Sequence, residues 1–361
     1  MKKAIIAMSG GVDSSVAAYL IKNRGIECIG ATMKLYNNED IGTDRTKTCC
    51  SLDDVEDARS VAYKLGIPYY VFNFTEDFGH EVIDRFIKGY ECGATPNPCI
   101  DCNRFIKWKK LFMRMKELDY DYVVTGHYAR IEKTDSGRYL LKKGLDHSKD
   151  QSYVLYAMTQ EQLSHTLLPL GGLEKTEVRR IAEENGFINA KKHDSQDICF
   201  VPDGDYAKFI ENRTNKIYPQ GDFVDCDGNV LGKHNGLIRY TIGQRKGLGL
   251  ALKKPGYVLY KDQEKNQVVL GDDKDLYTTT FLANDFNWIA MDAPKEPIRA
   301  KVKTRYKQTE QLATVSANSD GTVTVIFDEP QRAITMGQAA VLYDDDVVLG
   351  GGTIIKTQTN L

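Results

Sequence analysis

Long hydrophobic runs are missing from this chain of 361 residues. No apolar stretch approaches the roughly 20 residues that a membrane-spanning helix needs. A short apolar run follows two lysines at the start, but the Ser-Gly-Gly-Val-Asp at 9–13 places turn residues and charge where a signal peptide needs further apolar length. We therefore expect a cytoplasmic protein.

A surplus of positive charge is missing as well, since 48 Lys and Arg face 50 Asp and Glu. Whole-chain charge therefore does not indicate a nucleic-acid partner, and an RNA-binding surface would require a local concentration of cations. Eight cysteines in a cytoplasmic chain of this length argue against a disulfide framework. They favour thiol chemistry or metal binding, and composition does not choose between these two.

The chain is too long for one ordinary core and suggests two or three domains. In the first half, predicted strands (3–8, 27–35, 69–74, 122–125) alternate with predicted helices (14–23, 53–65, 81–90, 105–118, 174–184), which indicates βαβ units and a parallel sheet. After about residue 205, helical periodicity fades and short β-rich runs lie between Gly, Asp and Asn turns, such as the one at 225–229. This pattern is typical of small antiparallel barrels or meanders. We predict a Rossmann-like α/β domain at 1–204, a small β-rich central domain at 205–279 and a C-terminal β-barrel at 280–361.

The segment Ser9-Gly10-Gly11-Val12-Asp13-Ser14-Ser15 joins the first strand to the first helix. Two glycines permit close backbone approach, and the helix start offers amide groups and a positive dipole end to an anion. Asp13 suits a magnesium ion that bridges phosphates, while Ser14 or Ser15 would cap the helix or bond a phosphate oxygen. A plain βα turn with a serine cap is the alternative.

This loop is neither a Walker A loop nor a dinucleotide Gly-x-Gly-x-x-Gly. It resembles the phosphate loop of the ATP pyrophosphatases, which split ATP into AMP and pyrophosphate to activate a carbonyl oxygen. That class includes argininosuccinate synthases, GMP synthetases, tRNA lysidine synthetases and tRNA thiolases. The resemblance therefore implies the activation chemistry and leaves the nucleophile open.

A second informative stretch, residues 95–107, contains Cys99 and Cys102. Its two prolines stiffen a loop, and Asn103 is expected to cap the helix that follows. Arg104, Lys107 and a helix N-terminus would lower the pKa of Cys102. A third stretch, 193–202, carries Cys199. Cys28, Cys92 and Cys226 are assigned packing roles, whereas Cys49 and Cys50 are expected to be buried small hydrophobic residues or surface thiols.

These three stretches, with the blocks at 125–130, 149–153 and 240–249, resemble the bacterial and mitochondrial tRNA 2-thiouridylases over nearly the whole chain. The resemblance implies ATP-dependent thiolation of the wobble uridine, position 34, in tRNAs of the Lys, Glu and Gln type. Cys199 would carry a persulfide supplied by a cysteine desulfurase or sulfur-relay protein, and Cys102 would be the second, nucleophilic cysteine. The two would finish the reaction as a disulfide.

The same resemblance implies contacts for ATP with Mg²⁺ and for tRNA. The implied nucleotide contacts are Ala7, Met8, Ser9, Gly10, Gly11, Val12, Asp13, Ser14, Met33 and Gly126. The implied tRNA contacts are Asn97, Pro98, Cys99, His127, Lys149, Asp150, Gln151, Arg305, Tyr306 and Gln338. The first three of these would meet the target base, which must leave the stack to expose C2.

Cys99 departs from the family pattern, which usually has an aspartate with an acid–base role three residues before the reactive cysteine. Cys99, Cys102 and Cys199 together supply three thiolates, enough to hold an iron–sulfur cluster with one open iron. A zinc knuckle or a simple redox pair are the structural alternatives. We favour an iron-free mechanism, because nothing else in the chain is evidently arranged for a cluster.

A strictly alternating segment at 298–307 is predicted to be a strand with five cations on one face. We expect these cations to contact tRNA phosphates, against the alternative of a solubilising edge strand. Two other functions compete with tRNA thiolation: a small-molecule ATP pyrophosphatase such as an argininosuccinate or GMP synthetase, and a non-catalytic tRNA-binding or cluster-scaffold protein. The paired distant cysteines argue against the first, and the intact phosphate loop argues against the second.

Overall fold

A computed structural model describes residues 1–37, 52–194 and 198–357. Cys49 and Cys50 lie outside these residues. The chain divides into two compact units, each built from several segments. Unit 1 comprises Met1–Ile83, Pro98–Gly204 and Asp346–Val348, and unit 2 comprises Asp84–Asn97, Asp205–Asp345 and Leu349–Leu361.

Unit 1 is organised around a five-stranded parallel sheet, which confirms the predicted α/β fold. The strand order is β3-β2-β1-β4-β7. The inner strand Lys3–Ala7 has apolar residues at consecutive positions from Ala4 onward, and these residues are buried on both faces of the sheet. This is expected for a parallel sheet covered by helices. The strands are β1 (Lys3–Ala7), β2 (Glu27–Lys34), β3 (Tyr69–Asn73), β4 (Tyr122–Val124) and β7 (Thr166–Leu167).

The helices of unit 1 carry the segments that later form the site. An antiparallel hairpin, β5 (Ala129–Lys133) and β6 (Tyr139–Lys143), follows β4. Gly25 follows the first helix and Gly66 the second, and both adopt the positive φ that is common just after a helix ends. The helices are α1 (Val12–Asn23), α2 (Leu52–Leu65), α3 (Thr75–Phe78) with π-helical Gly79–Asp84, α5 (Pro98–Asp101) with π-helical Cys102–Leu111, α6 (Phe112–Glu117), α7 (Gln160–Ser164) and α8 (Lys175–Glu184).

Unit 2 begins with helices that the sequence pattern showed incompletely. Helix α4 (Arg85–Glu91) overlaps the predicted 81–90 helix and ends one residue later, but α9 (Tyr206–Thr214) lies where helical periodicity was expected to fade. Asp205 caps α9 by accepting a hydrogen bond from the amide of Lys208. Tyr206 stacks on Tyr90 with ring centroids 4.5 Å apart, so this short helix is stabilised by packing within the unit.

A four-stranded sheet of order β10-β11-β8-β9 follows α9. Its β8 and β11 pair in parallel, so this sheet is not the purely antiparallel meander that we predicted. The predicted turn at 225–229 is confirmed between β8 and β9, with Gly228 at positive φ. The strands are β8 (Gly221–Val224), β9 (Val230–His234), β10 (Tyr257–Asp262) and β11 (Gln267–Gly271).

The last six strands close into a barrel of order β12-β15-β14-β13-β16-β17, with β17 returning to β12, as predicted for the C-terminal region. Apolar side chains from alternate positions fill its interior. The strands are β12 (Tyr277–Trp288), β13 (Ile298–Lys303), β14 (Gln311–Ala317), β15 (Val323–Arg332), β16 (Ala339–Asp344) and β17 (Val347–Thr357). Within the described part of the chain, every helix is too short or too polar to cross a membrane.

Candidate active site

The candidate site lies in unit 1 at the carboxyl ends of β1 and β4. These two strands are neighbours, yet the chain leaves β1 toward β2 on its other side, so strand order reverses between them. Such a switch point opens a crevice in which α/β proteins commonly bind ligands. The phosphate loop follows β1, and Gly126 follows β4. The fold therefore brings together two groups that lie more than 100 positions apart in the sequence.

Close backbone packing shapes the phosphate loop. Gly10 has a φ of +73°, and a Cβ at this position would lie 2.4 Å from the carbonyl oxygen of Asp54. A Cβ at Gly126 would lie 2.8 Å from the backbone carbonyl carbon of Asp13 and 2.9 Å from the amide nitrogen of Ser14. Neither glycine can be replaced without displacing backbone atoms. The two glycines therefore allow the phosphate loop to pack closely against the backbone of Asp54 and the segment after β4.

The start of α1 carries no side-chain cap. Gly11 is the N-cap residue, and both Ser14 and Ser15 donate their hydroxyls to its carbonyl oxygen at 3.0 and 3.1 Å. The predicted serine cap is therefore wrong, because these hydroxyls face a carbonyl. Ser14 also accepts a hydrogen bond from the amide of Ser9. The first amides of α1 have no intrahelical acceptor, which suits an anion at this end of the helix.

Asp13 is part of an ion-pair network. Its carboxylate accepts a hydrogen bond from the Tyr128 hydroxyl at 2.7 Å and two from the Lys175 ammonium, each at 2.8 Å. Lys175 also reaches Asp194 Oδ1 at 2.8 Å, and Lys149 reaches Asp194 Oδ2 at the same distance. Burial alone would raise the pKa of Asp194, but the hydrogen bonds from Lys149 and Lys175 outweigh it and lower the pKa to about 2.

The same network perturbs Tyr128. Burial first, and then the charge of Asp13, raise the pKa of its hydroxyl, so that Tyr128 remains a hydrogen-bond donor to that carboxylate.

Residues 189–194 brace the phosphate loop from a second direction. The amide of Asn189 donates to the Gly10 carbonyl oxygen and to Ser15 Oγ, both at 2.9 Å. Lys192 binds Asp54 and Asp57 at 2.6 Å each and lies 3.3 Å from the same Gly10 carbonyl. Burial would lower the pKa of Lys192, but these two carboxylates raise it overall. The loop is therefore held by buried or half-buried polar groups on both sides.

The helical segment that carries Cys99 and Cys102 starts earlier than predicted. Pro98 is its first residue, a position where the missing amide hydrogen of proline has no consequence. The predicted cap at Asn103 is therefore wrong, and Asn103 is buried inside the helical segment. Cys99 is exposed and Cys102 half-buried. The lowered pKa expected for Cys102 stays a prediction.

Cys199 is half-buried, and contacts hold both its backbone carbonyl and the residue that follows it. Its carbonyl oxygen accepts a hydrogen bond from the Tyr36 hydroxyl at 3.0 Å. The next residue, Phe200, packs edge-on against Phe78 with ring centroids 5.7 Å apart. The described cysteines form no disulfide. Cys28 is buried, whereas Cys92 and Cys226 are exposed, so the packing role predicted for these two is wrong.

Metal ligation by the three thiols has no geometric support. Across residues 1–37, 52–194 and 198–357, no three side chains of His, Cys, Asp or Glu are grouped closely enough to hold a metal ion. Cys99, Cys102 and Cys199 all belong to these ranges. They are therefore not assembled as a cluster site in this structure.

His127 is 7% exposed, next to Gly126. Burial, and then the charge of Lys107, hold its pKa well below the usual histidine range, so the ring is neutral. Nε2 lies 3.4 Å from the Lys107 ammonium, which can only donate, and Nδ1 lies 2.7 Å from Thr125 Oγ1. We assign the hydrogen to Nδ1 on this basis.

The predicted tRNA contacts at 149–151 are bonded within unit 1. Asp150 accepts hydrogen bonds from the amides of Gly144 and Ser152 and from the Ser152 hydroxyl, and so orders its own turn. Gln151 exchanges hydrogen bonds with the backbone of Tyr128. Lys149 binds Asp194, as described above. The fold therefore connects Lys149 to the Asp13 network through Asp194, and Gln151 through the backbone of Tyr128.

In unit 2, the predicted basic strand ends at Lys303 and not at Lys307. Over 298–303 the alternation is confirmed, with Ala300 and Val302 inside the barrel. Each outward cation has an acidic partner from elsewhere in the barrel region: Arg299 with Asp328, Lys301 with Asp345 at 3.1 Å, and Lys303 with Glu310 at 3.8 Å. Sequence reasoning missed these carboxylates because they belong to other segments.

The other predicted tRNA contacts of unit 2 lie beyond this strand. Arg305 donates to the Ala333 carbonyl oxygen and to Thr335 Oγ1, and Tyr306 is exposed. Gln338 donates to the carbonyl oxygen of Thr95, two positions before Asn97 in the chain. The fold of unit 2 therefore places Gln338 beside the segment that contains Asn97.

Sequence reasoning missed four residues that shape the site: Tyr128, Lys175, Asn189 and Lys192. For Lys175 alone, the sequence contained a feature that could have indicated a special role. Lys175 is the first residue of α8, where the positive end of the helix dipole disfavours a cation. The other three are ordinary polar residues whose importance comes from contacts with distant positions, which no local pattern shows.

Three consecutive regions that together cover most of the chain match known protein families. Residues 2–203 match a family described as the tRNA methyl transferase HUP domain. Residues 207–272 match the tRNA methyl transferase PRC-barrel domain, and residues 278–354 match the aminomethyltransferase beta-barrel domain.

Curated relatives match at about half of all positions. The tRNA-specific 2-thiouridylase MnmA of Clostridioides difficile (strain 630) is 52% identical over 357 residues, covering 99% of each chain. The protein of the same name from Acetivibrio thermocellus is 52% identical over 355 residues, covering 98% of this chain and 99% of that one. That from Lachnoclostridium phytofermentans is 49% identical over 357 residues, covering 99% and 100%. With matches of this identity and extent, the chain belongs to the tRNA-specific 2-thiouridylase family.

Proposed function

We propose that this protein uses ATP to replace the C2 oxygen of the wobble uridine, position 34, of tRNA with sulfur. The observation that carries the proposal is that one compact unit contains the phosphate loop and both Cys102 and Cys199. Phosphate binding and thiol chemistry are the two capabilities that the reaction needs. The names of the relatives identify tRNA as their substrate, and we propose the same substrate for this protein.

The nucleotide contacts proposed are the ten residues that the family resemblance implies, from Ala7 to Ser14 with Met33 and Gly126. Support comes from the close backbone approach at Gly10 and Gly126 and from the uncapped start of α1. Asp13 would be a magnesium ligand, and its carboxylate oxygens suit that hard cation. Bound ATP supplies an activated phosphoryl group, and its cleavage between the α and β phosphates makes the C2 oxygen a leaving group.

The sulfur steps use the two cysteines in sequence. A persulfide on Cys199 attacks C2 of the activated uridine, and AMP departs with the former C2 oxygen. The Cys102 thiolate then attacks the sulfur of Cys199, which breaks the S–S bond to the transferred sulfur and leaves a Cys102–Cys199 disulfide. A cellular thiol reductant must reopen that disulfide before the next turnover.

Cys99 is proposed to act without iron. Its side chain is exposed. The family usually has an aspartate at this position. We propose that Cys99 stands in for that acid–base group next to the target base.

The tRNA surface is proposed to include residues 97–99, His127, 149–151, Arg305, Tyr306 and Gln338, with the exposed cations of β13 on phosphates. The tRNAs would be of the Lys, Glu and Gln type, and the sulfur donor a cysteine desulfurase or relay protein. We further propose domain boundaries near 204 and 279, which the extents of the matched families support. We also propose a cytoplasmic location for this protein.

One experiment tests the proposal as a whole. The protein is incubated with Mg²⁺, a persulfide donor, α-labelled ATP and unmodified tRNA of the Lys type. AMP and pyrophosphate should form only when tRNA is present, and mass spectrometry of the digested tRNA should show one oxygen replaced by sulfur at the wobble uridine. ADP and orthophosphate as products would overturn the adenylation step. AMP formation without tRNA, driven by a small molecule, would favour the alternative pyrophosphatase function.

A further inference from the structure

Lys175 has a position that ordinary helix stability does not explain. It is the first residue of α8, where the helix dipole opposes a positive charge, and its side chain is only 9% exposed. A buried ammonium is costly unless acidic groups surround it. The structure supplies two such groups, Asp13 from the phosphate loop and Asp194 from the segment before Cys199.

The contacts of Lys175 use its whole hydrogen-bonding capacity. An ammonium group has three hydrogens to donate. Here its three acceptors are both carboxylate oxygens of Asp13 and one oxygen of Asp194, each at 2.8 Å. If Asp13 turned to a magnesium ion, two of these hydrogens would lose their acceptors in a buried place. Leaving charged donors unsatisfied is expensive, so a new anionic acceptor must replace them.

We propose that Lys175 is a phosphate-binding residue that exchanges Asp13 for the nucleotide, while Asp194 keeps its side chain at the loop. Without nucleotide, Lys175 neutralises Asp13. With nucleotide and magnesium, Asp13 turns to the metal and Lys175 donates to a phosphate oxygen. Asp194 is a positioning residue in this exchange, since Lys149 and Arg179 also hold it in place at 2.8 and 3.2 Å. The inference rests on the nucleotide site of the proposed function.

The first test measures direct binding of magnesium and α,β-methylene-ATP, which resists cleavage, by calorimetry on the full-length protein. Lys175→Met should weaken binding by about tenfold or more, the usual loss for a charge-assisted hydrogen bond. Lys175→Arg keeps the charge and should restore part of the affinity. Arg180→Met is the matched control, because it removes an exposed cation of the same helix whose ion-pair partner among the described residues is Glu184. It should bind as wild type does.

A second measurement does not depend on whether Lys175→Met folds. In EDTA, Asp13→Asn should bind the analogue more tightly than wild type, because Lys175 is no longer held by a carboxylate. The gain should disappear in Asp13→Asn combined with Lys175→Met, as a double-mutant cycle would show. An unchanged affinity in Asp13→Asn would contradict the exchange.

The binding measurements distinguish a failure of the proposed nucleotide site from a failure of the role proposed for Lys175. If wild type does not bind the analogue at all, the nucleotide site of the proposed function is wrong. If wild type binds and folded Lys175→Met binds equally well, only the role of Lys175 is wrong.

Discussion

Cations serve differently in the two units. In unit 1, Lys175 and Lys192 are buried or half-buried, and each bridges two carboxylates around the phosphate loop. In unit 2, Arg299 and Lys301 on β13 are about half exposed, and each pairs with one exposed carboxylate. An exposed pair contributes about 0–1 kcal/mol and is screened by salt, whereas a buried network holds its geometry. The buried network of unit 1 therefore holds the side chains around the phosphate loop in place. The exposed cations of unit 2 can exchange their carboxylate partners for other anions.

We expect substitutions in unit 1 to abolish activity rather than to reduce it gradually. The largest loss of tRNA thiolation should come from substitution of Cys102 or Cys199. Cys199→Ser should lose the sulfur acceptor, and Cys102→Ser should accept sulfur but fail to release it to tRNA. Both should abolish 2-thiouridine, measured by mass spectrometry of digested tRNA. Intact-protein mass should show an added sulfur on Cys102→Ser and none on Cys199→Ser. Wild-type thiolation by Cys102→Ser would refute the two-cysteine mechanism.

The next largest effect tests the rigid packing of the loop. Gly126→Ala places a methyl group 2.8 Å from the Asp13 backbone, and accommodating it should cost about 1–3 kcal/mol in stability or in nucleotide binding. Gly172→Ala is the control, because a Cβ at Gly172 meets no atom within 4 Å. Thermal melting with and without α,β-methylene-ATP separates the two losses. Equal behaviour of the two variants would show that the close approach is not required.

A graded effect is expected from β13 in unit 2. Lys301→Ala should lower the slope of log affinity for tRNA against log salt by roughly 0.7–0.9, the value for one phosphate contact. Lys303→Ala should change it less, because the Lys303 side chain is 15% exposed against 43% for Lys301. Lys254→Ala removes an exposed paired lysine elsewhere in unit 2 and serves as control. An unchanged slope in Lys301→Ala would make β13 a solubilising strand.

The smallest effect is expected at Cys99. Cys99→Asp restores the residue usual in the family and should retain or raise thiolation, with no iron in anaerobically purified protein. A cluster would behave in the opposite way, since a hard carboxylate replaces a soft thiolate poorly. Brown wild-type protein with absorbance near 400 nm that Cys99→Ala abolishes would contradict the iron-free mechanism. Iron analysis and the thiolation assay decide between these outcomes.

Local patterns in the chain were enough for the sheet and for the location of the phosphate loop. Strand–helix alternation over the first 200 residues predicts a parallel sheet, because each connection is long enough for a crossover helix. The loop at 9–15 follows from two glycines between a strand and a helix. The same local reasoning failed at Asn103, where a good capping residue lies inside a helical segment that Pro98 had already started.

Hydrophobic periodicity, turn residues and motif spacing act between neighbours in the chain, so the α/β class, the terminal barrel and the candidate cysteines could be read from the amino-acid order. The partners of charged groups could not. Asp13 meets Lys175 across 162 positions, Asn189 meets Gly10 across 179, and Lys301 meets Asp345 across 44. Electrostatic and hydrogen-bond energies depend on distance and burial in space, and these become defined only when the chain has folded.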